Sequence, residues 1–251
     1  MITVVSNLAC NRFASMTESG TEAAHEPSSP SYEQEPALAN ELLGIVPMRN
    51  MVLFPGVVHE IIVDCPASIA AVQSALRENG KLGLLLQREA TVTDSGPGDL
   101  YDVGTVVRVL RCGRDTDESH LLICHGETRF RVVEFTTRHP YVVARTEKPE
   151  EILTNEEGIQ ARVLALKQQA SKAIELLPEF PAELAAAVQS IESPGALSDL
   201  IAGFLDIPSV EKQKLLETFD IRQRLETVAE YMAKRLAIIE RSRHIEGQPR
   251  F

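Results

Sequence analysis

Between residues 42 and 147, branched aliphatic residues come in short runs spaced about ten residues apart, each closed by Gly, Pro, Asp or Ser. These runs predict strands over Gly44–Pro47, Val57–Val63, Leu82–Gln87, Gly104–Leu110, His120–His125, Phe130–Phe135 and Tyr141–Arg145. One helix interrupts them at Ser68–Asn79, where Ile69, Val72, Ala75 and Leu76 recur at helical spacing, with Ser68 as its cap and Gly80 at its end. Gly113–Ser119, GRDTDES, is a polar turn closing a hairpin, and Asp94–Asp99, DSGPGD, is an exposed loop. After Pro149 the period changes to that of a helix. Helices are expected over Glu156–Leu177, Pro181–Ile191, Ser193–Leu205 and Ser209–Glu217, with Pro178 and Pro181 breaking the first, Ser193-Pro194 starting the third and Ser209 capping the fourth. A final helix over Ile221–Ile245 aligns Ile221, Leu225, Val228, Met232, Leu236 and Ile239 on one stripe, which needs a partner.

The pattern predicts an α+β protein in two lobes: a β-rich lobe over residues 41–148, a small antiparallel barrel or sandwich with one helix, then a helical bundle over 149–251 ending in a long helix. Residues 17–40 mix Ser, Pro, Glu and Ala with almost no branched aliphatics and cannot offset the entropy of ordering, so residues 1–40 read as a disordered tail. Met16 immediately precedes this acidic stretch and is an alternative start.

With 251 residues, 44% hydrophobic and 24% charged, the chain has the composition of an ordinary soluble globular protein. Its net charge of −11 repels phosphate backbones and argues against a nucleic-acid partner. No run approaches the ~18 apolar residues of a membrane helix, and Met1–Val5 is too short and lacks the basic flank of a secretory signal, so a cytoplasmic protein without a membrane partner is expected. The four cysteines, Cys10, Cys65, Cys112 and Cys124, show no CxxC spacing and are expected as thiols. A hairpin turning near Thr116 would set Cys112 opposite about position 120 and Cys124 opposite about position 108, which keeps the two sulfurs apart and brings Cys112 near His120.

Several phrases resemble one family in order along the chain. Leu43–Gly56, LGIVPMRNMVLFPG, is similar to the opening strand and loop of the substrate-binding N-terminal domain of Lon, the ATP-dependent serine protease. Gly83–Gln87, Asp99–Val106, Gly126–Val132 (the pattern G-x-x-R followed by alternating apolar residues) and Pro140–Ala144 match the strands that follow. Glu192–Ala202 resembles the family stretch LADxIA, with Ser198 where Ala is commoner. The resemblance is close over residues 42–148 and looser over the helices. It implies a pseudobarrel in the β-rich lobe and a protein that binds unfolded or misfolded polypeptide, with itself or a Lon-type ATPase–protease as a further partner.

Neither a GxxxxGK[ST] phosphate loop nor a Ser–Lys dyad in a matching protease motif occurs, and the histidines form no HExxH, so no catalysis, cofactor or metal is expected of this chain. The candidate substrate-binding residues are Met48, Met51, Leu53 and Phe54. Met suits a surface that accepts many sequences and Phe gives a large apolar contact, while for Leu53 and Phe54 the favoured reading is a plug for the end of the barrel. Pro47 and Pro55 should keep this segment out of regular sheet pairing. The leading reading is recognition of polypeptide for ATP-dependent proteolysis. A stand-alone adaptor or holdase, a small-ligand or RNA-binding pseudobarrel, and self-association through the terminal helix are the alternatives.

Overall fold

The computed structural model describes residues 39–246 apart from Asn79, Asp94, 115–118, His139, 154–157 and 177–181. Expectations for the tail, for the tip of GRDTDES, for Pro178 and Pro181 and for the end of the chain after Glu246 therefore lie outside the described residues. Six strands form one sheet: β1 (Ala39–Met48), β2 (Val58–Val63), β3 (Lys81–Leu86), β4 (Val103–Arg114), β5 (His120–Arg138) and β6 (Tyr141–Glu147). Their order is β2-β5-β4-β3-β1-β6, and β6 also pairs with β5. That last pairing closes β5, β4, β3, β1 and β6 into a barrel and leaves β2 as an added strand on the first half of β5. β1 and β3 are parallel, and the crossover between them carries β2 and the helix α1 (Pro66–Arg77).

Side chains alternate across the barrel wall as the pleat requires. Leu43, Ile45, Leu85, Leu100, Val106, Phe130 and Ala144 fill the inside, whereas Val46, Leu82, Leu84, Leu86, Val103 and Val107 belong to the core shared with the helices. Gly104 permits this filling: a Cβ there would collide with the Leu84 carbonyl oxygen and come within 2.9 Å of the Phe130 ring.

Five helices follow: α2 (Ile159–Leu176), α3 (Ala182–Ser190), α4 (Pro194–Phe204), α5 (Ser209–Glu217) and α6 (Ile221–Glu246). α6 packs along α2 and against α4. Its stripe is buried from Leu225 through Val228, Met232 and Leu236 to Ile239, and α2 offers a matching stripe of Ile159, Val163, Leu166, Ala170 and Ala173. The partner that the stripe requires is thus within the chain, and this surface is not free to bind a second copy.

The α+β architecture expected from the pattern is the one observed, with local corrections. The strands expected over 120–125 and 130–135 are a single strand, because Gly126 lies in it at a point where the Phe54 carbonyl oxygen crosses too closely for any Cβ. β1 starts at Ala39, paired with Glu147, inside the segment read as tail. Ser68 is not the cap of α1: Cys65 holds that position, Pro66 supplies the fixed φ of the first turn and Ser68 is buried within the helix. Gly80 does follow the helix, with φ +72° and its N–H on Ala75 O at 2.7 Å. Ser193 caps α4 through Ala196 N at 3.3 Å, but Pro208 and not Ser209 precedes α5. Arg111 to Arg114 pair with Ile123 to His120 in unbroken register, two positions away from the register expected for a turn near Thr116, so Cys112 faces Leu122 and His120 faces Arg114, which removes the expected Cys112–His120 approach. Cys65, Cys112 and Cys124 are free thiols.

Candidate functional site

β6 pairs with β1 from Ala39 to Gly44, and β3 pairs with it from Ile45 to Met48. Beyond Gly44, therefore, one side of β1 carries no strand among the described residues. Pro47 lies in this stretch, opposite Leu85, so it does not keep the segment out of the sheet as expected; its missing N–H is harmless on an edge. Where β6 departs, a groove of about 550 Å³ opens. Residues 45–51 form one wall, 62–65 and the start of α1 a second, and Gln87, Thr93, Ser95–Pro97 and Pro140–Val142 complete it.

Met48 and Met51 are half-buried and line this groove. They also border a void of about 10 Å³ beside Leu53, Leu216 and Gln213, roughly the space of one water. Leu53 and Phe54 go elsewhere. They are 3% and 0% exposed and lie in the core shared by the barrel's outer face and the helices, so neither side chain offers a surface to a ligand. Thr105 Oγ1 donates to Leu53 O at 2.5 Å, and Gly56 N–H donates to Gly126 O at 2.8 Å, which fixes the loop on the barrel.

Gln87 does not stand out in the sequence. It is 5% exposed, its Nε2 donates to Ser95 Oγ at 2.7 Å, and its Oε1 has no hydrogen-bond partner. A glutamine closing the apolar run LGLLL is the one signal that marks it. The groove is thus a mainly apolar cleft, with Arg49 and Asp64 among its lining and an acceptor left to satisfy, a site suited to an apolar ligand that carries N–H groups.

A second constellation joins the barrel to the helices. Arg129 of β5 grips Asp199 of α4 with both ends of its guanidinium, at 2.6 and 2.7 Å, and donates Nε to Leu216 O at 3.0 Å. Glu151 Oε1 accepts from Arg129 Nη1 at 3.1 Å and from Arg224 Nη2 of α6 at 2.6 Å. Arg224, 0% exposed, donates Nη1 to Thr218 O at 2.8 Å and Nε to Ser198 Oγ at 3.0 Å. Arg129 and Asp199 are two of the residues that carry the sequence resemblance, and they prove to be partners across 70 positions. Ser198, the departure from the family phrase, supplies an acceptor for Arg224 and donates its own proton to Gly195 O at 2.7 Å. With Arg129, Arg224 and Asp199 buried and paired, and the partly exposed Glu151 closing the cluster, this constellation is a structural joint.

Other titratable groups are likewise structural. Burial, helped by Cys112, pushes the Cys124 thiol up to about 12. Burial lowers the Lys212 ammonium, which donates to Gly203 O at 3.0 Å. Glu211 accepts from Lys214 and from the Tyr231 hydroxyl, both at 2.8 Å, which lowers its own pKa and raises theirs. Among the described residues no group of three or more His, Cys, Asp or Glu could hold a metal ion, and no helix is long and apolar enough to cross a membrane.

Solved structures show the same fold. The N-terminal domain of a Lon protease from the Mycobacterium avium complex superposes with a TM-score of 0.64 at 20% identity, covering 77% of this chain and 98% of that one. A Lon N-terminal domain protein from Xanthomonas campestris gives 0.53, also at 20% identity, covering 76% and 99%. Among curated proteins, the Lon protease of Methylocella silvestris is 43% identical over 210 residues, 84% of this chain and 26% of the relative. That of Phenylobacterium zucineum is 40% identical over 214 residues, 85% and 27%. The fold class is therefore that of Lon N-terminal domains. Residues 43–234 match the family model of the ATP-dependent protease La (LON) substrate-binding domain, and the chain belongs to that family. It spans about a quarter of the length of the curated relatives it matches.

Proposed function

We propose that this chain recognises unfolded or misfolded polypeptide through the Met48–Met51 groove and presents it for ATP-dependent proteolysis, working in the cytoplasm with the ATPase and protease parts of a Lon-type machine. The observation that carries this reading is the groove, open where β6 leaves β1 and walled by two half-buried methionines. A methionine wall adapts to many side chains because the thioether is unbranched and polarizable, and an apolar cleft discriminates chains that expose their cores from those that do not. An adaptor or holdase acting alone would use the same groove.

The experiment compares binding of a reduced, carboxymethylated model protein with binding of its native form, for the wild type and for the double variant Met48→Ser/Met51→Ser. The unfolded form should bind at least about tenfold more tightly, and the double variant should lose that preference. Equal affinity for both forms, or an unaffected double variant, removes the groove as the recognition site.

A further inference from the structure

β2 differs from the strands of the barrel because it pairs on one side alone. Val58 to Val63 align with His125 to His120 of β5, without a bulge, and among the described residues no strand lies on the other side. Gly126 N–H donates to Val57 O at 2.9 Å. Carried along an antiparallel ladder, that bond assigns His59, Ile61 and Val63 to the pairing with β5 and turns the N–H and C=O groups of Val58, Glu60 and Ile62 outward. The His59 ring agrees with this assignment: its Nδ1 lies 2.8 Å from Glu60 O, a carbonyl that β5 leaves unused.

Natural sheets guard such an edge with proline, lysine, a bulge or a covering element. VHEIIV has neither proline nor lysine and pairs without a bulge; its one acidic side chain is the exposed Glu60, which lies between Val58 and Ile62, 54% and 62% exposed. The edge is also continuous with the groove, since Ile62 and Val63 form part of its wall. Alternating donors and acceptors along a straight edge are matched by one kind of partner, another chain in extended conformation. The unsatisfied acceptor of Gln87 in the same groove asks for an N–H donor, which every residue of such a chain except proline supplies.

We propose that an extended apolar polypeptide segment docks on the free edge of β2 as an additional strand, with alternate side chains reaching the Met48–Met51 groove. This rests on the function proposed above and specifies how the substrate is read: main chain by the β2 edge, side chains by the groove. Because the edge takes any sequence that can extend, selectivity for unfolded protein follows from conformation as well as from hydrophobicity.

The test uses the full chain and a short labelled peptide rich in Val, Ile and Phe, with an analogue of the same sequence methylated at alternate backbone nitrogens. Two methylation phases are made, so that one removes the donors facing β2 while the other leaves them. One phase should bind about tenfold more weakly and the other nearly as well as the parent. Glu60→Pro deletes an outward N–H without touching a bond to β5, so it should weaken the unmethylated peptide by a similar factor while the melting temperature holds. If both analogues bind like the parent while Met48→Ser/Met51→Ser abolishes binding, the edge proposal is overturned and the groove reading stands. If the parent peptide does not bind the wild type, both are overturned. A concentration-dependent dimer that Glu60→Pro disperses, without peptide binding, would assign the edge to a second copy of this chain and also overturn the proposal.

Discussion

At Arg129 two buried guanidinium groups are paired with the buried Asp199 and the partly exposed Glu151, with backbone carbonyls and the Ser198 hydroxyl taking up further donors. At Met48 the chain does the reverse: a strand loses its neighbour, two methionines stay half-buried and a glutamine keeps an acceptor unused. Both regions lie in motifs that resemble the family, so membership alone does not tell a joint from a binding site. The difference is whether the local chemistry is completed within the chain. A completed cluster specifies which elements meet, and an incomplete one leaves interaction energy for a ligand.

The contrast is broken most forcefully at the joint. Asp199→Ala leaves Arg129 without its bidentate partner and should cost about 3–5 kcal/mol, read as a lower denaturant midpoint, because two buried guanidiniums then share the single carboxylate of Glu151. Met48→Ser/Met51→Ser should cost less, about 1–2 kcal/mol for partly buried side chains, while removing most of the affinity for unfolded protein. A loss of stability as large as that of Asp199→Ala would place the methionines in the core and erase the contrast. Ser198→Ala should cost about 1 kcal/mol, since Arg224 Nε keeps Asp199 Oδ1 at 3.3 Å.

Thiols sharpen the comparison with smaller effects. Cys65 lines the groove and Cys124 is 0% exposed, so at neutral pH an alkylating reagent should modify Cys65 and spare Cys124, and bound peptide should slow the reaction at Cys65. The raised pKa of Cys124 also has a thermodynamic sign. The folded protein holds this proton while the unfolded chain releases it from about pH 9, so Cys124 contributes to stability fully below pH 9, and that contribution declines as pH rises toward about 12. A melting series over that range should fall less steeply for Cys124→Ala than for the wild type.

The strands, the helices and the stripe of α6 were legible because period and punctuation report local geometry. The failures come from contacts between distant segments. Gly126 reads as a break because nothing in its neighbourhood announces Phe54 O crossing above it. Ser68 and Ser209 read as caps, but a proline at or beside each helix start has already set the backbone. At the site, Met48 and Met51 were readable as flexible apolar residues in a proline-bounded loop. Leu53 and Phe54 already carried the second reading of a plug for the barrel end, and burial in the core shared with the helices is what withdraws them from the surface. Gln87, Ile62 and Tyr141 enter the groove from three further segments and gave no common signal in the sequence.

The Arg129–Asp199 bond also constrains how this molecule could be cut or recombined. A truncation ending near residue 148 keeps Arg129 but loses Asp199, Glu151 and the Leu216 carbonyl, so its barrel would present a bare guanidinium amid apolar surface that the helices normally cover. Chimeras that join this barrel to foreign helices would need to bring a carboxylate to the same place. In hybrid design and in inheritance alike, the barrel and the helices should travel as one cassette, although the sequence reads as two.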